Sequence, residues 1–255
     1  MKLAFDDAGR GDCVVLIHGH PFDRTLWAPQ VAALSGGFRV VAPDMRGFGR
    51  SPVTPQLVTM REYAADVEEL LDGLEIARAA IVGLSMGGLV AMELAAARPE
   101  RYWAIGLVAT TMEPPTARDR ATRLERAAAV ERDGMAVLVD YMHTGLYGPA
   151  CPPAVRARVD AMMAAAPPAG AAAALRGRAE RPDYRPLLAG LDIPALVCAG
   201  SADPWSTHAV TAEIAASLKR QETVIIDGVG HLPNLEAEPE FNRALEAFLR
   251  AHAPG

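Results

Sequence analysis

The hydrophobic positions of this chain cluster into short apolar runs, each bounded by glycine, aspartate or proline. A strand that is covered by helices on both faces needs no polar alternation, so these runs predict buried parallel strands. Stretches with helical periodicity lie between the runs, for example at 60–74 and 87–98. This alternation predicts an α/β fold with a mainly parallel central sheet flanked by helices. The apolar runs span residues 13–17, 39–42, 79–82, 105–109, 195–199 and 223–226.

The alternation of strands and helices stops within residues 112–191. This segment includes an Ala/Pro/Gly-rich tract at 164–174, which favours a helix and its loop. We interpret the segment as a helical lid inserted after the sixth core strand. The expected organisation is one core domain formed by residues 1–111 and 192–255, with the lid, or cap, at 112–191. Amphipathic helical pieces of the lid are predicted at 118–132, 134–142 and 153–163.

Composition and charge exclude several classes of partner. The chain has 255 residues, of which 51% are hydrophobic, so it can bury one large sheet. Its formal net charge of -6 comes without a run of basic residues, and we therefore expect neither nucleic acid nor membrane as a partner. The acidic start and the absence of a long apolar run predict a cytoplasmic protein. The sequence leaves open whether copies of the chain form a homo-oligomer.

The strongest local motif is G-x-S-x-G, formed by Gly83, Ser85 and Gly87 between an apolar strand and a helix-forming run. In this context the motif is typical of a strained strand-to-helix turn that exposes the serine oxygen to a substrate. Small residues are needed on both sides because the turn leaves no room for larger side chains. The motif therefore predicts Ser85 as a nucleophile.

A serine nucleophile needs a base and a group that orients the base. His231 follows the last apolar run, and Asp203 follows the run before it. Because sites of open α/β sheets lie beyond the carboxyl ends of the strands, we predict that both residues join Ser85 there. Asp227 and Asp192 are rival carboxylates, although each is better explained as a turn residue.

These motifs resemble the α/β-hydrolase superfamily over nearly the whole chain. The resemblance is greatest to small carboxylesterases, 3-oxoadipate enol-lactonases and cofactor-free haloperoxidases or perhydrolases. It implies that the backbone N–H groups of His20 and Met86 form an oxyanion hole, and it leaves both side chains free to shape the pocket. A serine nucleophile differs from the aspartate of haloalkane dehalogenases and epoxide hydrolases. Besides the G-x-S-x-G motif, the matching segments are residues 18–22, 44–51, 200–204 and 230–236.

The leading hypothesis from these residues is a serine hydrolase that cleaves a small carboxylic ester or lactone through an acyl-enzyme on Ser85, without a cofactor or metal. One alternative is hydrolysis of a carbon–carbon bond in a diketone-like substrate, and another is perhydrolase or haloperoxidase activity. A different class is a ligand receptor without catalysis, since folds of this kind can hold a ligand without converting it.

Overall fold

The computed structural model describes residues 1–54 and 56–255, and within these ranges the chain forms a seven-stranded sheet in the order β1-β3-β2-β4-β5-β6-β7. Strands β2 to β7 are parallel to their neighbours, whereas β1 pairs with β3 in the antiparallel direction. The strands are β1 (Phe5–Ala8), β2 (Cys13–Ile17), β3 (Arg39–Pro43), β4 (Ala79–Leu84), β5 (Tyr102–Val108), β6 (Ala195–Gly200) and β7 (Gln221–Ile226).

Helices cover the sheet, and the predicted α/β architecture is confirmed. Strands β2, β4, β5 and β6 are buried along their whole length, as expected for strands between helical layers. The helices are α1 (Ala28–Leu34), α2 (Met60–Gly73), α3 (Met86–Ala97), α4 (Ala117–Asp133), α5 (Ala136–Met142), α6 (Pro153–Ala165), α7 (Pro168–Ala179), α8 (Arg185–Gly190), α9 (His208–Ser217), α10 (Pro233–Glu236) and α11 (Glu238–His252).

Strand β1 was not predicted from the apolar runs. It lies at the edge of the sheet, and its two central residues, Asp6 and Asp7, are exposed. An edge strand with a solvated face carries too few apolar side chains to be recognised as a buried strand. Its pairing with β3 therefore rests on backbone hydrogen bonds that the hydrophobic pattern does not reveal.

The helical segment between β5 and β6 contains α4 to α8. It was expected after a sixth core strand, but it follows the fifth strand of the chain, because four of the apolar runs and the edge strand β1 precede it. The Ala-rich tract contributes to α7, which packs against α4. A Cβ atom on Gly170 of this helix would lie 1.9 Å from the Gly47 carbonyl oxygen, so α7 approaches the loop after β3 very closely. The division into core and lid stays a prediction.

No helix within residues 1–54 and 56–255 has both the length and the apolar character that crossing a bilayer requires.

Candidate active site

Ser85 lies on the turn between β4 and α3 in a backbone conformation that few side chains adopt, with φ 54° and ψ -109°. Such a conformation costs about 1–3 kcal/mol and persists only where the surroundings enforce it. A Cβ on Gly83 would lie 2.0 Å from the Gly87 carbonyl oxygen, and one on Gly87 would lie 2.1 Å from that of Ile17. The two glycines are therefore required by close backbone contacts, as the motif predicted, and Ser85 is held at the carboxyl edge of the sheet.

His231 and Asp203 lie together at the same edge, on the loops after β7 and β6. The Nδ1 atom of His231 is 2.7 Å from Oδ2 of Asp203, and both side chains are buried. The backbone N–H of His231 also donates to the Leu146 carbonyl at 2.9 Å, which fixes the loop. With its proton on Nδ1, the ring donates to Asp203 and leaves Nε2 as an acceptor.

The carboxylate of Asp203 has further donors. The N–H of Trp205 donates to Oδ1 at 2.8 Å, and the Ser206 hydroxyl donates to Oδ2, the oxygen that also faces His231. Burial raises the pKa of Asp203, but the adjacent His231 and the hydrogen bonds from Ser206 and Trp205 outweigh it and hold the pKa below its usual range. Asp203 is thus kept ionised beside the imidazole ring.

The rival carboxylates lie elsewhere. Asp227 accepts a hydrogen bond from the exposed Ser201 hydroxyl at 2.9 Å, and that same hydroxyl accepts from the N–H of Gly228. This is the turn-fixing contact expected of an aspartate after a strand. Asp192 is exposed on the loop before β6. The structure therefore brings Asp203, not Asp227, to the ring of His231.

A cavity of about 590 Å³ joins these side chains, and Ser85, His231 and His20 all line it. Its apolar lining includes Leu89 and Leu175. The volume is within the range of pockets that bind small organic molecules. Within residues 1–54 and 56–255, no group of three or more His, Cys, Asp or Glu side chains is arranged to hold a metal ion.

Comparison with known proteins assigns the family. The sequence model of the alpha/beta hydrolase fold matches residues 12–238. The chain is also 34% identical to 3-oxoadipate enol-lactonase 1 of Acinetobacter baylyi over 232 residues, which cover 90% of this chain and 85% of that one. The chain belongs to the α/β-hydrolase family.

Solved structures agree with this assignment. A thermophilic esterase from Thermogutta terrifontis, described with malate bound, superposes with a TM-score of 0.97 at 36% identity and covers 98% of this chain and 94% of its own. The enol-lactonase from Burkholderia xenovorans LB400 superposes with a TM-score of 0.90 at 30% identity, covering 97% and 96%. A bromoperoxidase from Bacillus anthracis gives 0.87 at 25% identity, covering 97% and 95%.

In this α/β-hydrolase, the two amides named as oxyanion donors are those of His20, on the loop after β2, and of Met86, the first residue of α3. In the described part of the chain, neither the N–H of His20 nor that of Met86 donates to another group. The loop before His20 is fixed by His18, whose Nδ1 donates to the Gly19 carbonyl at 2.8 Å while Nε2 accepts from the N–H of Met45 at 2.9 Å. Both amides are thus left available, and their role as an oxyanion hole stays a prediction.

The ring of His20 contacts the helical segment. Its Nε2 is 3.0 Å from the Ala171 carbonyl of α7. Burial, together with the nearby charges of Arg178 and Arg126, lowers the pKa of His20 to about 3. The side chain is therefore neutral at physiological pH and forms part of the cavity wall, as the sequence suggested.

An aromatic stack connects His231 to the helices. The ring of Trp205 meets His231 edge-on with centroids 4.9 Å apart, and it stacks on Tyr141 at 6.0 Å. The guanidinium carbon of Arg126 lies 3.3 Å from the centroid of the Tyr141 ring, within the range of a cation–π contact.

Sequence reasoning missed the arginines of the cavity, which are Arg123, Arg126, Arg178 and Arg181. The signal was present as two pairs spaced three residues apart. Within α4 this spacing places both side chains on one face of the helix, whereas Arg181 lies beyond the end of α7. Arginines of amphipathic helices usually face solvent, so the spacing alone does not identify a cavity wall.

Proposed function

We propose that this α/β-hydrolase cleaves a small carboxylic ester or lactone through an acyl-enzyme on Ser85. Enol-lactonase and esterase relatives support hydrolysis of an ester bond. The observation that carries the proposal is the shared cavity, which Ser85 and His231 both line, with Ser85 on its strained turn and Nδ1 of His231 2.7 Å from the buried Asp203. A nucleophile, a base and an orienting carboxylate in this relation are the parts that acyl transfer requires.

The steps follow from this arrangement. The hydroxyl oxygen of Ser85 attacks the ester carbonyl, and Nε2 of His231 takes the hydroxyl proton. The amides of His20 and Met86 donate to the oxyanion of the tetrahedral intermediate, where each such donor is worth about 3 kcal/mol of barrier. The imidazolium then returns its proton to the leaving alcohol, and the acyl group remains on Ser85.

The second half repeats the first with water as the nucleophile. His231 removes a proton from water, the resulting hydroxide attacks the acyl carbonyl, and the Ser85 oxygen leaves with that proton. Asp203 keeps its negative charge throughout and stabilises the imidazolium. A lactone follows the same route, except that the alcohol and acid remain in one product.

Covalent labelling tests the proposal. A fluorophosphonate probe should label the wild-type chain at Ser85, as located by peptide mass spectrometry, and Ser85→Ala should abolish both the label and turnover of p-nitrophenyl acetate. Ser201→Ala removes an exposed hydroxyl on the loop after β6 and serves as the matched control. Turnover that persists in Ser85→Ala, or an unlabelled wild type, would overturn the assignment and favour a receptor.

Perhydrolysis is a second candidate, because a bromoperoxidase is among the structures of similar fold. It uses the same acyl-enzyme and differs only in the second nucleophile, which is hydrogen peroxide instead of water. An assay with an acetate ester and added hydrogen peroxide separates hydrolysis from perhydrolysis, since the first yields acetate and the second yields peracetic acid. If acetate is the sole product in the presence of peroxide, perhydrolysis is excluded.

A further inference from the structure

The wall of the cavity that is built by the helical segment carries an excess of cations. Four arginines line it, two from α4 and two from α7 and the turn that follows: Arg123, Arg126, Arg178 and Arg181. In the described part of the chain, none of the four forms an ion pair with a carboxylate. Most other arginines of these helices are paired on the surface, for example Arg176 with Glu131.

Among these four arginines, Arg178 is the one with a buried nitrogen atom, Nε, that lacks a hydrogen-bond partner among the described residues. Burial, with the nearby charges of Arg123 and Arg181, lowers its pKa to about 9. Burying a charged donor without a partner costs several kcal/mol, so such a group is normally paired. Because Arg178 is half-buried and borders the cavity, a ligand bound there can supply the partner that the chain does not.

The two carboxylates of the same wall already accept hydrogen bonds from other groups of the chain. Glu113 accepts a hydrogen bond from the Thr111 hydroxyl, and Asp119 caps the start of α4 through Thr116. Arg181 donates only to carbonyl oxygens, those of Glu113 and of Arg178. The lining thus holds four guanidinium groups against two carboxylates, which leaves this wall of the cavity with a net positive charge.

We propose that the natural substrate carries a carboxylate group in addition to its ester or lactone bond, and that Arg178 and Arg123 bind this carboxylate while Ser85 acts on the ester carbonyl. Guanidinium groups match carboxylates in geometry and charge, which makes them the usual receptors for such groups. This inference rests on the proposed ester or lactone hydrolysis and names the substrate class of that site.

Matched esters test the inference. In monoethyl glutarate a carboxylate stands where ethyl pentanoate has a methyl group, and a pH-stat follows hydrolysis of both. We expect kcat/KM to favour monoethyl glutarate by about 10- to 100-fold at low salt, the range that corresponds to hydrogen bonds with a charged group. Arg178→Met should lower this preference to near one, and Arg123→Met should lower it partly. Arg176→Met, on the outer face of the same helix, should keep it.

Binding of glutarate itself, measured by calorimetry, separates failure of this inference from failure of the proposed function. Glutarate should bind the wild type and bind at least 10-fold more weakly to Arg178→Met, whether or not any ester is cleaved. If both esters are hydrolysed at equal kcat/KM and glutarate does not bind, the carboxylate site is wrong and ester hydrolysis stands. If glutarate binds through Arg178 but no ester is cleaved, the site stands and the proposed function is wrong.

Discussion

The two walls of the cavity differ in how completely the chain satisfies its own polar groups. On the wall formed by the strand ends, which we call the sheet wall, Asp203 receives hydrogen bonds from His231, Ser206 and the N–H of Trp205. On the wall formed by α4, α7 and the turn after α7, which we call the lid wall, Arg178 has a buried nitrogen without a partner. The carboxylate of Asp203 has its partners within the free protein, whereas Arg178 lacks a counterion among the described residues.

This difference indicates that the sheet wall serves catalysis and the lid wall serves substrate recognition. Groups that move protons must be in place before the substrate arrives, since preorganisation is what lowers the barrier. Groups that recognise a substrate gain most when their partner is supplied by the ligand alone, because an internal partner would compete with it. Changes to the sheet wall should therefore affect every substrate equally, and changes to the lid wall should alter the preference among substrates.

The largest effect is expected at Asp203. Asp203→Asn presents an amide that favours the wrong tautomer of His231, and the corresponding change in a serine protease lowers turnover about 10⁴-fold. Asp227→Asn is the matched control, because Asp227 contacts Ser201 and not the ring. The measurement is kcat on p-nitrophenyl acetate for both variants, with circular dichroism to confirm folding. Near-normal turnover in Asp203→Asn together with collapse in Asp227→Asn would reverse the assignment.

A smaller loss is expected at Ser206, which donates to the same oxygen of Asp203 as His231 does. Removing a hydrogen bond to a buried carboxylate costs about 1.5–3 kcal/mol, so Ser206→Ala should lower kcat about 10- to 100-fold. Ser206→Thr retains the hydroxyl and should recover much of the loss. Ser201→Ala, on the same loop but exposed, should leave kcat unchanged. An equal kcat in Ser206→Ala and wild type would show that this hydroxyl does not support the carboxylate.

The ring of His20 is buried beside the lid wall, and its burial, reinforced by the charges of that wall, makes the stability of the chain depend on pH. Its pKa is about 3 in the folded chain and about 6.5 when unfolded, so below pH 6.5 the unfolded chain takes up a proton that the folded chain does not. Stability contributed by His20 is thus lost as pH falls. Between pH 7 and pH 5, the wild type should lose about 2 kcal/mol more unfolding free energy than His20→Gln. Urea unfolding at both pH values measures this, and equal losses would contradict it.

The sheet wall could be predicted from sequence to a far greater extent than the lid wall. The motif around Ser85 is recognisable because close backbone contacts require its two glycines. Asp203 and His231 each follow an apolar run, and the parallel pairing of β6 and β7 brings these two residues to the same edge of the sheet. The lid arginines give no comparable signal. Whether an arginine of an amphipathic helix faces solvent or a cavity depends on how α4 packs against α7, and that packing is not encoded by local periodicity.

Ser206 and the edge strand β1 were missed for related reasons. A serine three residues after an aspartate is common in turns, and only the burial of both side chains makes its hydrogen bond to Asp203 significant. Strand β1 carries exposed carboxylates at its centre, so its sequence resembles a loop. Sequence patterns therefore predict buried, regular elements well and contacts between distant surfaces poorly.

The most direct test of the division between the walls compares four proteins: wild type, Ser206→Ala, Arg178→Met and the double variant. For each, kcat/KM is measured on monoethyl glutarate and on ethyl pentanoate. Ser206→Ala should lower both values by the same factor and keep their ratio, whereas Arg178→Met should lower the ratio about 10- to 100-fold. In the double variant the two effects should multiply, as for independent sites. A ratio that falls in Ser206→Ala, or that stays at the wild-type value in Arg178→Met, would contradict the account.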